Sequence, residues 1–138
     1  GKDRKLGAAV ELVDMGAAYV AMRLVKSQEE ADWARIGAWL SDRAVHALLD
    51  EVRPGITERD LWRICENAYQ GEGGTTWIHY FGTTPMSDPS IYVPCQYPST
   101  RRIEAGDVVF TEISASFWEY PGQVLRTFTV AADPTPLY

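Results

Sequence analysis

GDVVFTEISASFWEYPGQVLRTF, residues 106–128, carries two runs rich in β-branched and aromatic side chains, Val108 to Phe117 and Gln123 to Val130. Between them Trp118-Glu119-Tyr120-Pro121-Gly122 ends in a Pro-Gly turn signal, so the stretch reads as a β-hairpin. Side chains alternate faces along a strand. Val108, Phe110, Glu112, Ser114 and Ser116 therefore share one face, and Gln123, Leu125, Thr127 and Thr129 share one face of the return strand. Ten residues separate Glu112 from Gln123. With an even-length loop and no bulge, both point to the same side of the sheet, where they can reach one ligand.

Upstream of the hairpin, Ser27 with Glu30 three residues later is a capping-box signature. Trp33, Gly37, Leu40, Ala44 and Leu48 follow at helical spacing, which predicts a helix from about Gln28 to Val52. Pro54-Gly55 ends it, Thr57 caps the next, and Leu61, Ile64, Cys65 and Ala68 stripe one face of that second helix up to the break at Gly71-Glu72-Gly73-Gly74. Thr75 to Phe81 reads as a further strand, so two helices are expected to pack on an antiparallel sheet. Residues Ala8 to Val25 read as short strands or an irregular lead-in.

These segments together resemble the aminopeptidase P, prolidase, methionine aminopeptidase and creatinase family, which shares the pita-bread fold. The similarity is carried by Arg23 to Glu30 before the first helix, Arg53-Pro54-Gly55-Ile56-Thr57-Glu58 before the second, Pro98 to Asp107 before the hairpin, and Arg126-Thr127-Phe128 within it. The resemblance implies an α+β fold, half of a pita-bread domain. Residues 1–25 would be a lead-in from an upstream domain or linker, and residues 26–138 the N-terminal half of the catalytic domain. It also implies that a second half, with a further His and two Glu in the metal-dependent members, lies outside this sequence. Residues 1–138 alone are accordingly expected to be inactive and not to form a stable monomer.

In the metal-dependent members the hairpin carries an Asp on each strand, and a His precedes the Pro-Ser turn. Those positions here hold Glu112, Gln123 and Cys95. Hard divalent cations in a pair need anionic oxygens to offset their mutual repulsion, and Gln123 offers a neutral amide. Glu112 keeps its charge but is one methylene longer, and a Cys, Glu and Gln set matches no standard site for Zn²⁺, Mg²⁺ or Mn²⁺. No metal and no other cofactor is expected.

The candidate catalytic residues are Glu112 and His79, and the candidate substrate-binding residues are Gln123 and Cys95. Glu112 is read either as an acid/base or substrate-binding carboxylate, or as a structural partner of Gln123 or Arg126. His79 sits in Thr76-Trp77-Ile78-His79-Tyr80-Phe81. There an imidazole facing the cleft could move protons near neutral pH, although a hydrogen-bonded strand residue is the plainer reading. Cys95 has no neighbouring cation to activate it and reads as a small buried side chain. His46 lies within the first helix and reads as structural or exposed. Arg101-Arg102 reads as a solvated turn, and Trp118 and Tyr120 at the hairpin tip as a subunit contact.

Of the 138 residues, 46% are hydrophobic, and five Trp, seven Tyr and four Phe suffice for one folded core. A net charge of −6 argues against a nucleic-acid or anionic-membrane partner. Two cysteines give no disulfide framework, and no signal or membrane-spanning pattern is evident, so a cytoplasmic protein is expected. By resemblance the partner is a small-molecule or dipeptide-like substrate, and the assembly a homo-oligomer such as a dimer. Three functions remain open: a hydrolase related to the Xaa-Pro peptidases that cleaves a C–N bond without a metal, as the creatinase branch does; a non-catalytic binding relative; and an active metallopeptidase with an unusual ligand set.

Overall fold

A computed structural model describes residues 12–136. Helix α1 spans Gly16–Leu24, α2 spans Gln28–Glu51 and α3 spans Glu58–Tyr69; a 3₁₀ turn, Gln70–Glu72, leads into strand β1, Thr75–Pro85. After a long loop come β2, Asp107–Phe117, and β3, Tyr120–Thr129. The three strands form one antiparallel sheet in the order β1-β2-β3. No helix among the described residues is long and apolar enough to cross a membrane.

The capping box forms as its sequence requires: Ser27 Oγ accepts from the Glu30 N–H at 3.2 Å and Glu30 accepts from the Ser27 N–H at 2.7 Å. Gly37, Leu40, Ala44 and Leu48 make the buried stripe of α2, and Leu61, Ile64, Cys65 and Tyr69 that of α3. Both lie on the face of the sheet formed by Phe81, Val109, Ile113 and Ala115. Neither helix covers the other, open face of the sheet, although the 86–106 loop lies against part of it.

Helix α2 meets the hairpin backbone to backbone. A Cβ on Gly37 would collide with the Tyr120 carbonyl, and one on Gly122 with the backbone of Ala38. Across this close approach Ser41 Oγ donates to the Gly122 carbonyl and accepts from the Ala115 N–H at 2.9 Å. A glycine pair and one hydroxyl thus hold the start of β3 against the helix.

The hairpin turn differs from the expectation. It is Trp118-Glu119, a two-residue turn with both residues at positive φ (48° and 65°), while Pro121 and Gly122 lie within β3. Pro121 is tolerated because β3 is an edge strand. Trp33 of α2 holds the strained turn, its ring 6.5 Å from that of Trp118 and 5.4 Å from that of Tyr120, and Tyr120 donates to Glu30. These aromatic rings therefore make an intrachain contact, and Trp118 remains largely exposed. The lead-in also differs: Gly16–Leu24 is helical, begun by Asp14 accepting from the Gly16 N–H at 2.8 Å. Its Ala, Met and Leu content favours a helix over the strands expected. Residues 8–11 of that expectation lie outside the described residues.

Candidate functional site

Register decides what shares the open face. Glu112 pairs with Tyr80 on β1 and Leu125 on β3, and Ser114 pairs with Gln123. Glu112 and Gln123 are therefore diagonal neighbours on one face, and the Gln123 Nε2 donates to Glu112 Oε1. The even-length turn preserves the parity read from the sequence. Of the two partners proposed for Glu112, Gln123 is the one it has; Arg126 sits at the alternate parity and donates to the Leu125 carbonyl at 2.7 Å.

One strand repeat from Glu112, Phe110 pairs with Gly82, and the ring occupies the space a Cβ at Gly82 would need. Beyond it lies a cavity of about 660 Å³, bounded by Val108 and Phe110 on β2, Thr84 and Thr127 on the flanking strands, and Pro89, Ile91 and Tyr92 of the 86–106 loop. The open face thus carries one carboxylate and one amide beside a mostly apolar cavity.

His79 does not join them. It is fully buried on the helix side, pairs with Ile113, and sits edge-on to Trp62 and Tyr69. Its Nε2 is 2.8 Å from the Tyr69 hydroxyl, while Nδ1 lies 2.8 Å from the Ile78 carbonyl. The Tyr69 hydroxyl also meets Thr76 Oγ1, which donates to Glu66 at 2.9 Å. The expectation that His79 faces the cleft is corrected: Trp62 and Tyr69 of α3 offer this ring an aromatic, hydrogen-bonded slot, and the backbone of the sheet lies between it and Glu112. Burial pushes its pKa down to about 4, so the imidazole stays neutral.

That depression has a sign. The unfolded His79 takes up a proton near pH 6.5 and the folded one only near 4, so its contribution to stability is complete above pH 6.5 and is lost as pH falls toward 4. We expect up to about 3 kcal/mol of acid sensitivity over that window. Urea titrations at pH 7 and pH 4.5 should show His79→Gln losing much less stability with acid than the parent; equal losses would refute the assignment.

Cys95 is likewise displaced from its expected setting. It forms a bridge with Phe81, exchanging N–H···O bonds of 3.0 and 2.8 Å, at the outer edge of β1. Phe81 in turn pairs with Thr111, so Cys95 stands about two strand spacings, ~10 Å, from β2. Its thiol is exposed, because the loop presents it at the sheet edge and no helix covers it there. The other thiol, Cys65, is buried, which pushes its pKa up and keeps it inert. His46 is exposed on α2, in keeping with its reading.

The sequence reading missed the network that fixes the 86–106 loop. Arg101 is no solvated turn residue: it makes bidentate bonds of 2.6 and 2.9 Å to Asp107, itself 1% exposed, and donates to Thr83 at 3.0 Å. Buried Glu58 accepts from Thr83 Oγ1 at 2.6 Å and from the Ser99 N–H and hydroxyl at 3.0 and 2.5 Å. Arg102 donates to the Gly55 carbonyl at 2.7 Å. The signal was present as Thr57-Glu58 and Pro98 to Asp107, two motifs that looked independent and meet in space.

A family model described as metallopeptidase family M24 matches residues 32–138. The chain belongs to family M24. It is 28% identical over 111 residues to a Xaa-Pro dipeptidase of Pyrococcus horikoshii, covering 80% of this chain and 31% of that protein. A second Xaa-Pro dipeptidase, from Pyrococcus furiosus, is 27% identical over the same shares. Prolidase from Pyrococcus furiosus superposes with a TM-score of 0.74 at 23% identity, over 86% of this chain and 34% of that chain. Aminopeptidase P from E. coli with the inhibitor Pro-Leu gives 0.76 at 22% identity, over 89% and 28%. The chain thus spans about a third of the length of the curated relatives it matches, and its α+β architecture is that of part of a pita-bread domain.

The M24 name implies metal, and the donors on this face do not fit a metal pair. An amide beside a carboxylate presents its NH₂, and Gln123 does so, turning a donor toward the place where a cation would need an acceptor. Cys95 lies on the far side of β1 from them, and no group of three His, Cys, Asp or Glu among the described residues could hold an ion.

Proposed function

We propose that this M24 chain belongs to a hydrolase related to the Xaa-Pro peptidases that works on a C–N bond of a small or dipeptide-like molecule without a metal pair. Residues 26–138 contribute half of its catalytic domain. The observation that carries this reading is the Glu112–Gln123 pair on the open face, one carboxylate and one amide where two bridging acids would be needed for metals. In this scheme Glu112 serves as the proton-transferring group at the scissile bond. Gln123 holds Glu112 in place through its Nε2 and leaves its carbonyl oxygen to orient the substrate. A soluble, self-associating protein is part of the same proposal. A non-catalytic binding role is favoured by one observation, the absence of a second acid or base beside Glu112 on the open face among the described residues.

Two measurements on the intact protein separate these readings. Mn²⁺, Co²⁺ and Zn²⁺ are each expected to bind more weakly than about 100 μM, roughly 5.5 kcal/mol, and Glu112→Asp combined with Gln123→Asp to tighten binding by restoring two anions. Two metals retained stoichiometrically through dialysis would sink the metal-free reading. Turnover of Xaa-Pro dipeptides, small amidines or guanidino acids by metal-stripped protein is expected from the hydrolase. No turnover of any of them would leave the binding role.

A further inference from the structure

We propose that the groove between α3 and residues 96–98 binds a small aromatic carboxylate, with the carboxylate on Arg59 and the ring against Trp62 and Tyr97. The groove has a volume of about 460 Å³ and is walled by Arg59, Trp62, Gln96, Tyr97 and Pro98. It opens at the outer edge of β1 on the side that carries α3, away from the face shared by Glu112 and Gln123. The inference therefore stands apart from the hydrolase reading.

The charge argument is one of elimination. Every other arginine or lysine side chain among the described residues donates to a carboxylate, a hydroxyl or a backbone carbonyl. Arg59 has no such partner there and lies exposed on the first turn of α3, where the helix dipole also favours a negative charge. The acids beside it are engaged elsewhere: Glu58 by Thr83 and Ser99, Asp60 by Thr57 and Arg63. An unpaired guanidinium on a chain of net charge −6 is left for an anion from outside, and a carboxylate matches its fork.

The shape argument concerns what is attached to the anion. Trp62 lies one helical turn from Arg59 on the same side of α3. It packs edge-on against His79 and Phe81, with centroids 5.5 and 6.5 Å away, and also borders the groove. Its indole N–H is shut off from solvent and has no acceptor among the described residues, so a second donor near Arg59 lacks a partner. Tyr97 is 85% exposed, which leaves its ring to gain from a ligand ring. Both ends of the 96–98 wall are fixed: Cys95 exchanges backbone bonds with Phe81, and the Ser99 N–H and hydroxyl bond to Glu58. The groove is thus formed before a ligand arrives, and little ordering cost opposes binding. Helix positions one turn apart lie about 5–6 Å from each other, a distance that a ring joined to a carboxylate through two carbons spans.

NMR titration of the intact protein near pH 7 with 3-phenylpropanoate, 3-phenylpropan-1-ol and 3-phenylpropylammonium tests this. The carboxylate should bind about 3-fold or more tighter than the alcohol, as an exposed charge pair allows, and the ammonium weakest. The indole N–H resonance of Trp62, assigned with Trp62→Phe, should move as the carboxylate is added. Arg59→Gln should remove the carboxylate's advantage while the alcohol's affinity, which reports an intact groove, stays unchanged. Tyr97→Ala should weaken carboxylate and alcohol together. Equal affinity for carboxylate and alcohol, preference for the ammonium, a carboxylate preference that survives Arg59→Gln, a Trp62 resonance that stays still, or no binding of any probe would each overturn the proposal. None of these outcomes bears on the hydrolase reading, which turnover and Glu112 decide.

Discussion

Asp107→Ala is expected to lower the unfolding free energy by about 3 kcal/mol or more. Asp107 is almost fully buried, accepts two bonds from Arg101 and one from the Glu104 N–H at 2.8 Å, and its removal leaves a partly buried guanidinium and a backbone donor without their acceptor. Breaking one side of a buried pair costs more than the pair contributes, because the remaining charge stays desolvated. Arg101 keeps some solvent contact, 28% of its side chain, which places the effect at the lower end of the range for such pairs. Urea denaturation of the single variants and of Arg101→Ala with Asp107→Ala checks this. The double variant should lose less than the sum of the singles. A loss below about 1 kcal/mol for Asp107→Ala would show that the network does not hold the loop.

Glu112→Gln is expected to reduce turnover about 100-fold or more while changing stability by less than about 1 kcal/mol. The two readings of Glu112 differ in what is left behind. A structural ion pair with Arg126 would strand a cation; the partner found is the neutral amide of Gln123, which can bond to another amide equally well. A thermal melt and a kinetic assay on the same preparation decide the matter. A large fall in melting temperature with normal turnover would return Glu112 to a structural role, and a variant normal in both would remove it from either.

Local signals made the helices legible. The Ser27–Glu30 box and the stripe from Gly37 to Leu48 placed α2 within a residue of its observed ends, because capping and amphipathic period act within a few turns of chain. The Glu112–Gln123 relation was legible for a similar reason, since parity survives any two-residue turn. The turn itself was not, because Pro121-Gly122 is the stronger local signal and Trp33, distant in sequence, supports left-handed backbone at Trp118 and Glu119 instead. The face of His79 was hidden too. Trp77-His79-Phe81 and Ile78-Tyr80 are both plausible core sets; the arrival of α3 with Trp62 and Tyr69 buries His79 and Phe81, while Trp77, at a register shift in β1, stays exposed.

The contact of Gly37 and Ser41 with Gly122 also bears on the order of folding. Ser41 and Gly122 are 81 positions apart, so the surface on which α2 docks does not exist until the hairpin has formed and a long loop has closed. Helix α2 can nucleate early from its own cap, yet it gains its main partner late. Its docking is then a step that local helix formation cannot accelerate. A bulkier residue at Gly37 should therefore hasten unfolding more than it slows refolding, a kinetic signature that stopped-flow chevrons would register separately from the loss of equilibrium stability.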